Sequence, residues 1–180
     1  MSETKIEYKP IGIIHSPFKA PKGTPIQSTS NEASNAMGTI EIFKYYVPGL
    51  KDLLGFSHII LLYHFDRAKS CELQKKPFMD VVPRGIFSIR APSRPNPIGF
   101  SILELVDIVE ENKLIVKGID ILDKTPLLDI KPYVPEFDSR KKARIGWLQD
   151  NIQKVDTTKD DGRFSSAMRP ASFFERKKKK

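Results

Sequence analysis

Asp129, Lys131 and Tyr133 are spaced two residues apart in a segment rich in proline. In an extended strand alternate side chains point to the same face, so these three would place a carboxylate, an ammonium and a phenol side by side. Such groups can transfer protons as acid and base. The same spacing also suits an ion pair on an edge strand beside a packed tyrosine, and the three residues alone leave both interpretations open.

A second polar segment, residues 87–99, carries three prolines together with Arg90, Arg94 and Asn96. Proline fixes φ near −65° and biases the preceding residue towards an extended conformation. The segment therefore predicts a stiff loop that presents guanidinium and amide donors to a planar or anionic ligand, although a connection with solvated arginines is equally compatible. Gly99 at its end predicts a positive φ or a close backbone approach.

Short apolar or alternating runs predict the strands that must position these residues. Glu111 and Asn112 between two of the runs predict a hairpin turn, and Pro48 predicts the start of a short helix over residues 48–54. A second helix is expected from about residue 139, because an apolar stripe runs from Ile145 to Val155. The predicted strands are residues 38–43, 59–65, 85–89, 101–109, 113–121 and 127–131.

Many short strands and few helices are typical of a mainly β fold, and we expect a small β-barrel with peripheral short helices. A G-x-G-x-x-G motif after a strand is absent from the sequence, as is a P-loop. The sequence therefore argues against a Rossmann-type dinucleotide or cofactor fold. We expect one domain over residues 6–150 and a polar, basic C-terminal extension over residues 151–180.

Composition limits the class of protein further. The 180 residues carry a net charge of +8 and one cysteine. The positive charge favours an anionic partner such as RNA, while the single cysteine excludes an internal disulfide and a multi-cysteine zinc site. No apolar run reaches the roughly 18 residues of a membrane span, and the three histidines lack the spacing of a metal site. We therefore expect a cytoplasmic protein without membrane or metal.

Four segments together resemble the TsaA/TrmO family of tRNA methyltransferases. Residues 90–99 resemble the family pattern R-[SA]-P-x-R-P-N-P-I-G, and residues 122–135 resemble L-D-G-T-P-[VL]-L-D-I-K-P-Y-x-P. Residues 11–18 are similar to I-G-x-I-x-S-P-[YF], and residues 55–62 also match. The resemblance covers most of the chain up to about residue 150, and such long ordered motifs are specific.

The resemblance implies a homodimeric enzyme with a small β-barrel that uses S-adenosyl-L-methionine. Its substrate would be tRNA carrying N6-threonylcarbamoyladenosine beside the anticodon, which it would methylate on N6. Asp129 could take the N6 proton directly or through Tyr133, and Lys131 could hold Asp129 ionised or pair with the threonyl carboxylate. Arg94 and Asn96 are candidates for RNA contact or for shaping their loop.

The resemblance also implies a set of cofactor-binding residues. Lys124 stands where the family has glycine, so a positive φ at that position would carry a steric cost. Asp66 stands where many relatives have histidine. The implied cofactor residues are Ile26, Gln27, Ser28, Phe65, Asp66, Arg90, Phe100, Lys124, Thr125, Pro126 and Leu127.

Three other functions remain open at the level of sequence. A regulatory module would bind S-adenosyl-L-methionine without transferring its methyl group. A non-enzymatic RNA-binding protein would rely on the basic run at residues 176–180 and would show salt-sensitive binding to many RNAs. A methyltransferase could also act on another small substrate, because the pocket chemistry alone does not specify tRNA.

Overall fold

Six antiparallel strands close into a barrel in a computed structural model that describes residues 6–69 and 71–164. Around the barrel the strand order is β1-β2-β7-β6-β3-β8, and β4 pairs with β5 in a separate two-stranded sheet. This architecture confirms the predicted mainly β barrel. The strands are β1 (Gly12–His15), β2 (Met37–Ile42), β3 (His58–His64), β4 (Gln74–Lys75), β5 (Arg84–Gly85), β6 (Ile98–Val109), β7 (Lys113–Lys117) and β8 (Thr125–Pro132).

The barrel interior is filled by aliphatic side chains that alternate with outward-facing residues along each strand. On β2, for example, Ile40 and Ile42 are buried, whereas Glu41 between them is more exposed. Period-2 alternation produces this segregation because successive strand side chains point to opposite faces. The fully buried aliphatic residues of the interior are Ile14, Ile40, Ile42, Ile59, Leu61, Leu103, Leu114, Val116, Ile119 and Leu127.

The predicted hairpin at Glu111 and Asn112 is confirmed, since β6 and β7 pair on either side of it. Glu110 and Glu111 adopt φ values of 50° and 62° in this turn. The strand predicted over residues 113–121 is too long: β7 ends at Lys117, because Gly118 turns the chain with φ 89°.

The strand predicted over residues 85–89 is wrong. Only Arg84–Gly85 pairs as strand, and a 3₁₀ turn over Ile86–Ser88 follows. Ile86 is buried in a small second cluster beside the barrel, so its apolar character reflects packing of a turn.

Both predicted helices are also wrong in extent. Residues 44–50 and 53–55 form 3₁₀ turns separated by Asp52, whose φ of 65° interrupts any continuous helix over 48–54. After the four-residue helix α1 (Pro135–Asp138), the second region contains only two 3₁₀ turns, Gly146–Asp150 and Ile152–Lys154. The φ of 57° at Gly146 breaks the helix that the apolar stripe predicts.

Residues 156–164 pack against the loop before β2 and the small second cluster beside the barrel. The Asp160 N–H donates to the Thr24 carbonyl at 2.9 Å, and the Gly23 N–H donates to the Asp160 carbonyl at 2.7 Å. Phe164 is buried against Ile86 and its ring meets the edge of Phe78 with centroids 4.8 Å apart. The boundary at residue 150 stays a prediction, and the basic run at 176–180 lies outside the described residues.

Candidate functional site

A cavity of about 600 Å³ opens at one end of the barrel. The C-terminal end of β3 and the N-terminal ends of β6 and β8 meet there, because β3 runs antiparallel to both neighbours. Four loops form much of its wall: one before β2, the segment after β3, the proline-rich loop before β6, and the connection from β7 to β8. Asp160 also lines it. The site therefore joins segments that are far apart in sequence.

Most of the cofactor residues implied by the family resemblance converge on this cavity. Ser28, Lys124, Pro126 and Leu127 do not line it, and Leu127 packs in the barrel interior. The contact of any of these residues with a cofactor stays a prediction. Those that line the cavity are Ile26, Gln27, Phe65, Asp66, Arg90, Phe100 and Thr125.

The proline-rich loop is held by its own arginine. The Arg94 guanidinium donates to the carbonyls of Ile89 and Ala91 at 3.1 and 3.4 Å, and the Ile98 N–H donates to the Asn96 carbonyl at 2.8 Å. These bonds fit the interpretation that Arg94 and Asn96 shape the loop. Both residues also line the cavity, so a contact with RNA stays a prediction.

Arg90 reaches across the cavity to a different loop. Its guanidinium donates to Oε1 of Gln27 at 3.3 Å, which joins the proline-rich loop to the segment before β2. Thr125 lines the same cavity, and its hydroxyl donates to the Leu122 carbonyl at 2.7 Å. The cavity thus brings together two of the sequence motifs, residues 90–99 and 122–135, and the separate segment that contains Gln27.

Gly99 serves a close approach between two strands. A Cβ built on it would lie 2.1 Å from the Tyr63 ring, and Gly99 is not among the glycines with positive φ. The Tyr63 ring in turn meets the edge of Phe65 with centroids 5.2 Å apart. Of the two roles predicted for Gly99, the structure therefore selects the close approach.

Lys124 adopts a φ of 63°, the left-handed conformation that its place in the glycine position implies. Its backbone N–H donates to the Ile14 carbonyl at 2.7 Å and fixes this conformation. The preceding Asp123 forms an ion pair with Lys19 at 2.8 Å. The loop is therefore tied down despite its strained residue.

A chain of polar groups from Tyr63 through Ser101 to Asp120 lies at the cavity wall. The Ser101 hydroxyl donates to Oδ1 of Asp120 at 2.8 Å, and the Tyr63 hydroxyl lies 3.1 Å from the same Ser101 oxygen. Burial raises the pKa of Asp120 from 3.8 to about 6, while the hydrogen bond from Ser101 opposes the rise. Burial and the Asp120 charge also raise the pKa of Tyr63.

The sequence motifs did not single out Tyr63, Ser101 or Asp120 as site residues. One signal was available for Asp120, because it stands between Ile119 and Ile121, both of which are buried. An acid within an apolar run that packs in a core is expensive unless it has partners. Ser101 and Tyr63 carry no such signal, since a strand serine and a strand tyrosine are common in any sheet.

The Asp129, Lys131 and Tyr133 group lies on the outer surface of the barrel. Lys131 Nζ and Asp129 Oδ2 are 2.7 Å apart in a partly exposed ion pair. The Tyr133 ring lies beside His58, with centroids 6.3 Å apart. None of the three lines the cavity within the described part of one chain, so their catalytic role stays a prediction.

Residues 6–69 and 71–164 contain no group of three or more histidine, cysteine, aspartate or glutamate side chains that could hold a metal ion. Over the same ranges, none of the helices has the length and apolar character needed to cross a bilayer.

Proteins of similar sequence support the family resemblance that the motifs indicate. The chain is 54% identical over 172 residues to a probable S-adenosyl-L-methionine-binding protein of Pyrococcus abyssi, covering 93% of this chain and 92% of that protein. It is 38% identical to the human tRNA (adenine(37)-N6)-methyltransferase, over 81% of this chain and 34% of the human protein.

Solved structures of similar fold support the same family. The crystal structure of TrmO from Pseudomonas aeruginosa matches with a TM-score of 0.66 and 37% identity, covering 80% of this chain. The chain spans 63% of the length of that TrmO chain. The model of the tRNA-methyltransferase O N-terminal domain matches residues 13–139, which is most of the sequence. The resemblance read from the motifs is confirmed, and the chain belongs to the family of the tRNA-methyltransferase O N-terminal domain.

Proposed function

We propose that this protein is an S-adenosyl-L-methionine-dependent methyltransferase that methylates N6 of N6-threonylcarbamoyladenosine beside the anticodon of tRNA. The observation that carries the proposal is that Gln27, Arg90 and Thr125, from three segments far apart in the sequence, line one cavity. Relatives named as tRNA (adenine(37)-N6)-methyltransferases in human and mouse support the reaction class. A tRNA substrate implies a cytoplasmic location.

The cavity fits the proposed cofactor in size and in chemistry. Its volume of about 600 Å³ falls in the range of small-molecule sites. Phe65 and Phe100 offer apolar surface for an adenine ring, Asp66 offers negative charge for a sulfonium, and Arg90 offers a guanidinium for a carboxylate. When bound, the cofactor supplies an electrophilic methyl group.

Transfer to N6 also requires a base, because the nitrogen belongs to a urea and its lone pair is delocalised. The new N–CH₃ bond replaces an N–H bond, and the proton must pass to an acceptor. Asp129 is the proposed acceptor, directly or through Tyr133, and Lys131 at 2.7 Å keeps the Asp129 carboxylate paired with a cation. Lys131 could instead meet the threonyl carboxylate of the substrate.

A homodimer would explain why this base lies outside the cavity of its own chain. The rim residues Ile98 and Phe100 are exposed apolar side chains on the outer surface of β6. Association of two copies across this face would bury them and bring the Asp129 ion pair of one copy towards the other cavity. Sedimentation analysis of the wild type and of Phe100→Asp tests this: a dimer that becomes monomeric supports the arrangement, and a monomeric wild type contradicts it.

A cofactor-binding protein without methyl transfer is the second candidate. Two observations favour it: the Pyrococcus relative is named for binding alone, and Asp129 does not reach the cavity of its own chain. It would bind S-adenosyl-L-methionine and leave the tRNA unchanged.

Incubation with S-adenosyl-L-methionine and tRNA carrying N6-threonylcarbamoyladenosine separates the two candidates. Mass spectrometry of the digested nucleosides should show a gain of one CH₂ on that nucleoside. The gain should be lost in Asp129→Asn and kept in Asp150→Asn, an exposed aspartate on a peripheral turn. Cofactor binding by the wild type without any mass gain would favour the second candidate.

A further inference from the structure

Asp120 is held in place by the barrel itself. Gly118 turns the chain after β7, and the buried side chains of Ile119 and Ile121 fix the backbone on both sides of the acid. The carboxylate consequently faces the cavity, which Asp120 lines. A side chain fixed on both flanks is preorganised for a ligand, because little conformational entropy is left to lose on binding.

Among the described residues, the Asp120 carboxylate has hydrogen-bond donors but no ion-pair partner. Ser101 donates to Oδ1, and the Ser28 backbone N–H also faces the carboxylate. Arg90 is the cation whose charge acts on Asp120, yet its guanidinium binds Gln27 and forms no ion pair with Asp120. Throughout the described residues, no cationic side chain forms a salt bridge with this acid.

The charged form of such a partly buried carboxylate is unfavourable unless a cation binds it. Desolvation penalises the charged form, and a cationic hydrogen-bond donor from a ligand would offset that penalty. The raised pKa of Asp120 agrees with an acid whose charge is incompletely compensated in the unliganded chain. A carboxylate has about four lone-pair sites, so one that neither Ser101 nor the backbone N–H groups of Ser28 and Asp120 use is available to a further donor.

We infer that Arg90 and Asp120 together bind the zwitterionic amino-acid end of the ligand, with Arg90 on its carboxylate and Asp120 on its α-ammonium group. This inference rests on the proposed function, since S-adenosyl-L-methionine carries such an end. A cation and a fixed anion that line one cavity without pairing match the two opposite charges of an α-amino acid. Tyr63 and Ser101 act as positioning residues that orient the carboxylate.

Three ligands that differ in their charged groups identify which group of the ligand contacts Asp120. S-Adenosyl-L-methionine has both a sulfonium and an α-ammonium, S-adenosylhomocysteine keeps the ammonium but has a neutral thioether, and 5′-methylthioadenosine has neither charge. Isothermal titration calorimetry at pH 8 measures each dissociation constant for the wild type, for Asp120→Asn and for the Asp150→Asn control. Asparagine keeps the size of the side chain and its acceptor for Ser101, so the change removes mainly the charge.

The inference predicts that Asp120→Asn weakens binding of the first two probes by about tenfold or more, as loss of a charge-assisted hydrogen bond does. Binding of 5′-methylthioadenosine should stay within about twofold of the wild type, and Asp150→Asn should change none of the three. Parallel loss of all three probes would overturn the inference by placing Asp120 on the nucleoside. Loss of S-adenosyl-L-methionine alone would overturn it by placing Asp120 on the sulfonium, and unchanged binding would overturn it directly.

Failure of this inference is distinguishable from failure of the proposed function. Wild-type protein that binds none of the probes would contradict both, whereas tight wild-type binding that Asp120→Asn leaves intact would contradict only the role of Asp120. A thermal melt of the variant serves as the folding control. An amide is easier to bury than a carboxylate, so the variant should unfold cooperatively and at no lower temperature than the wild type.

Discussion

Phe100 and Asp129 lie in one cross-strand row of the barrel, each paired with Leu62 of β3. Directly opposed residues point to the same face of a sheet, and neighbouring strands are about 4.8 Å apart, so the two side chains share the outer surface at a spacing of about 10 Å. Phe100 also lines the cavity. This row therefore connects the rim of the cavity to the ion pair of Asp129 with Lys131.

Lys131→Ala should reduce methyl transfer by about tenfold or more, because it removes the cation that is paired with the proposed base. The dissociation constant for S-adenosyl-L-methionine should not change, since Lys131 lies outside the cavity. Stability should change by less than about 1 kcal/mol, as for other exposed ion pairs. Single-turnover kinetics and calorimetry measure the two effects. The matched control is Lys113→Ala, which breaks the ion pair between Lys113 of β7 and Glu110. Equal rates of methyl transfer in the two variants would contradict the prediction.

Asp120→Asn should stabilise the unliganded protein at high pH. Asp120 has a raised pKa of about 6 against the ordinary 3.8, so the folded chain holds this proton more tightly than the unfolded chain. The wild type therefore loses stability as pH rises from about 4 through 6, and the variant does not. At pH 8 we expect a gain on the order of 1–3 kcal/mol.

Denaturant unfolding of Asp120→Asn and of the wild type between pH 4 and 8 tests the predicted direction of the stability change. The difference between the two should be small near pH 4 and constant above pH 7. Burial and the nearby Asp120 charge raise the pKa of Tyr63, so this phenol stays neutral over the range and does not confuse the comparison. A difference that grows towards low pH would contradict the assignment.

Gly99→Ala should destabilise the barrel by about 1–3 kcal/mol through overpacking. The new methyl group would lie 2.1 Å from a Tyr63 ring that is itself packed between strands and cannot move freely. Gly85→Ala is the control, because a Cβ at Gly85 meets no atom within 4 Å and Gly85 has an ordinary φ. Urea unfolding of both variants checks this, and an equal effect at the two glycines would contradict the role of the close approach.

Lys124→Gly should stabilise the protein by about 0.5–1 kcal/mol, since glycine adopts the left-handed conformation without the clash of a Cβ. The φ of 63° at Lys124 is the observation behind this expectation. Lys22→Gly, at an exposed loop lysine without a positive φ, should instead destabilise slightly, because glycine adds entropy to the unfolded chain. Thermal melts of the two variants compare their stability with that of the wild type. A lower melting temperature of Lys124→Gly would contradict the inference that Lys124 is strained.

Charge reversal of Lys141 and Lys142 should weaken tRNA binding several-fold and lower its salt dependence, because exposed lysines bind phosphate through counterion release. Within the described part of the chain neither lysine forms an ion pair. The segment leads to Trp147, whose indole N–H donates to the Ser88 carbonyl at 2.9 Å beside the cavity wall.

Filter binding at several salt concentrations measures the effect on tRNA. Reversal of Lys44 and Lys51, two exposed lysines beyond the opposite end of β2, is the matched control and should change little. Affinity for S-adenosyl-L-methionine should stay the same in both variants. Equal losses of tRNA binding in the two pairs would show that only net charge matters.

Local features of the sequence determined five of the six barrel strands, the stiff proline loop and the family, whereas β1 was not predicted. Alternation of apolar residues predicts strands because it reflects a property of each strand by itself, and the motif residues 90–99 and 122–135 are contiguous. The expected helices failed for an equally local reason: Gly146 and Asp52 have left-handed backbones that an apolar stripe does not reveal.

Only the tertiary structure decided which polar residues meet. Tyr63, Ser101 and Asp120 come from two strands and a loop, and closure of the barrel brings their oxygens within hydrogen-bond distance. The same closure turns Asp120 towards the cavity and Asp129 towards the outer surface. Sequence spacing fixes which side of a strand a residue occupies, but strand pairing across the barrel fixes its neighbours, because those contacts join residues far apart in the chain.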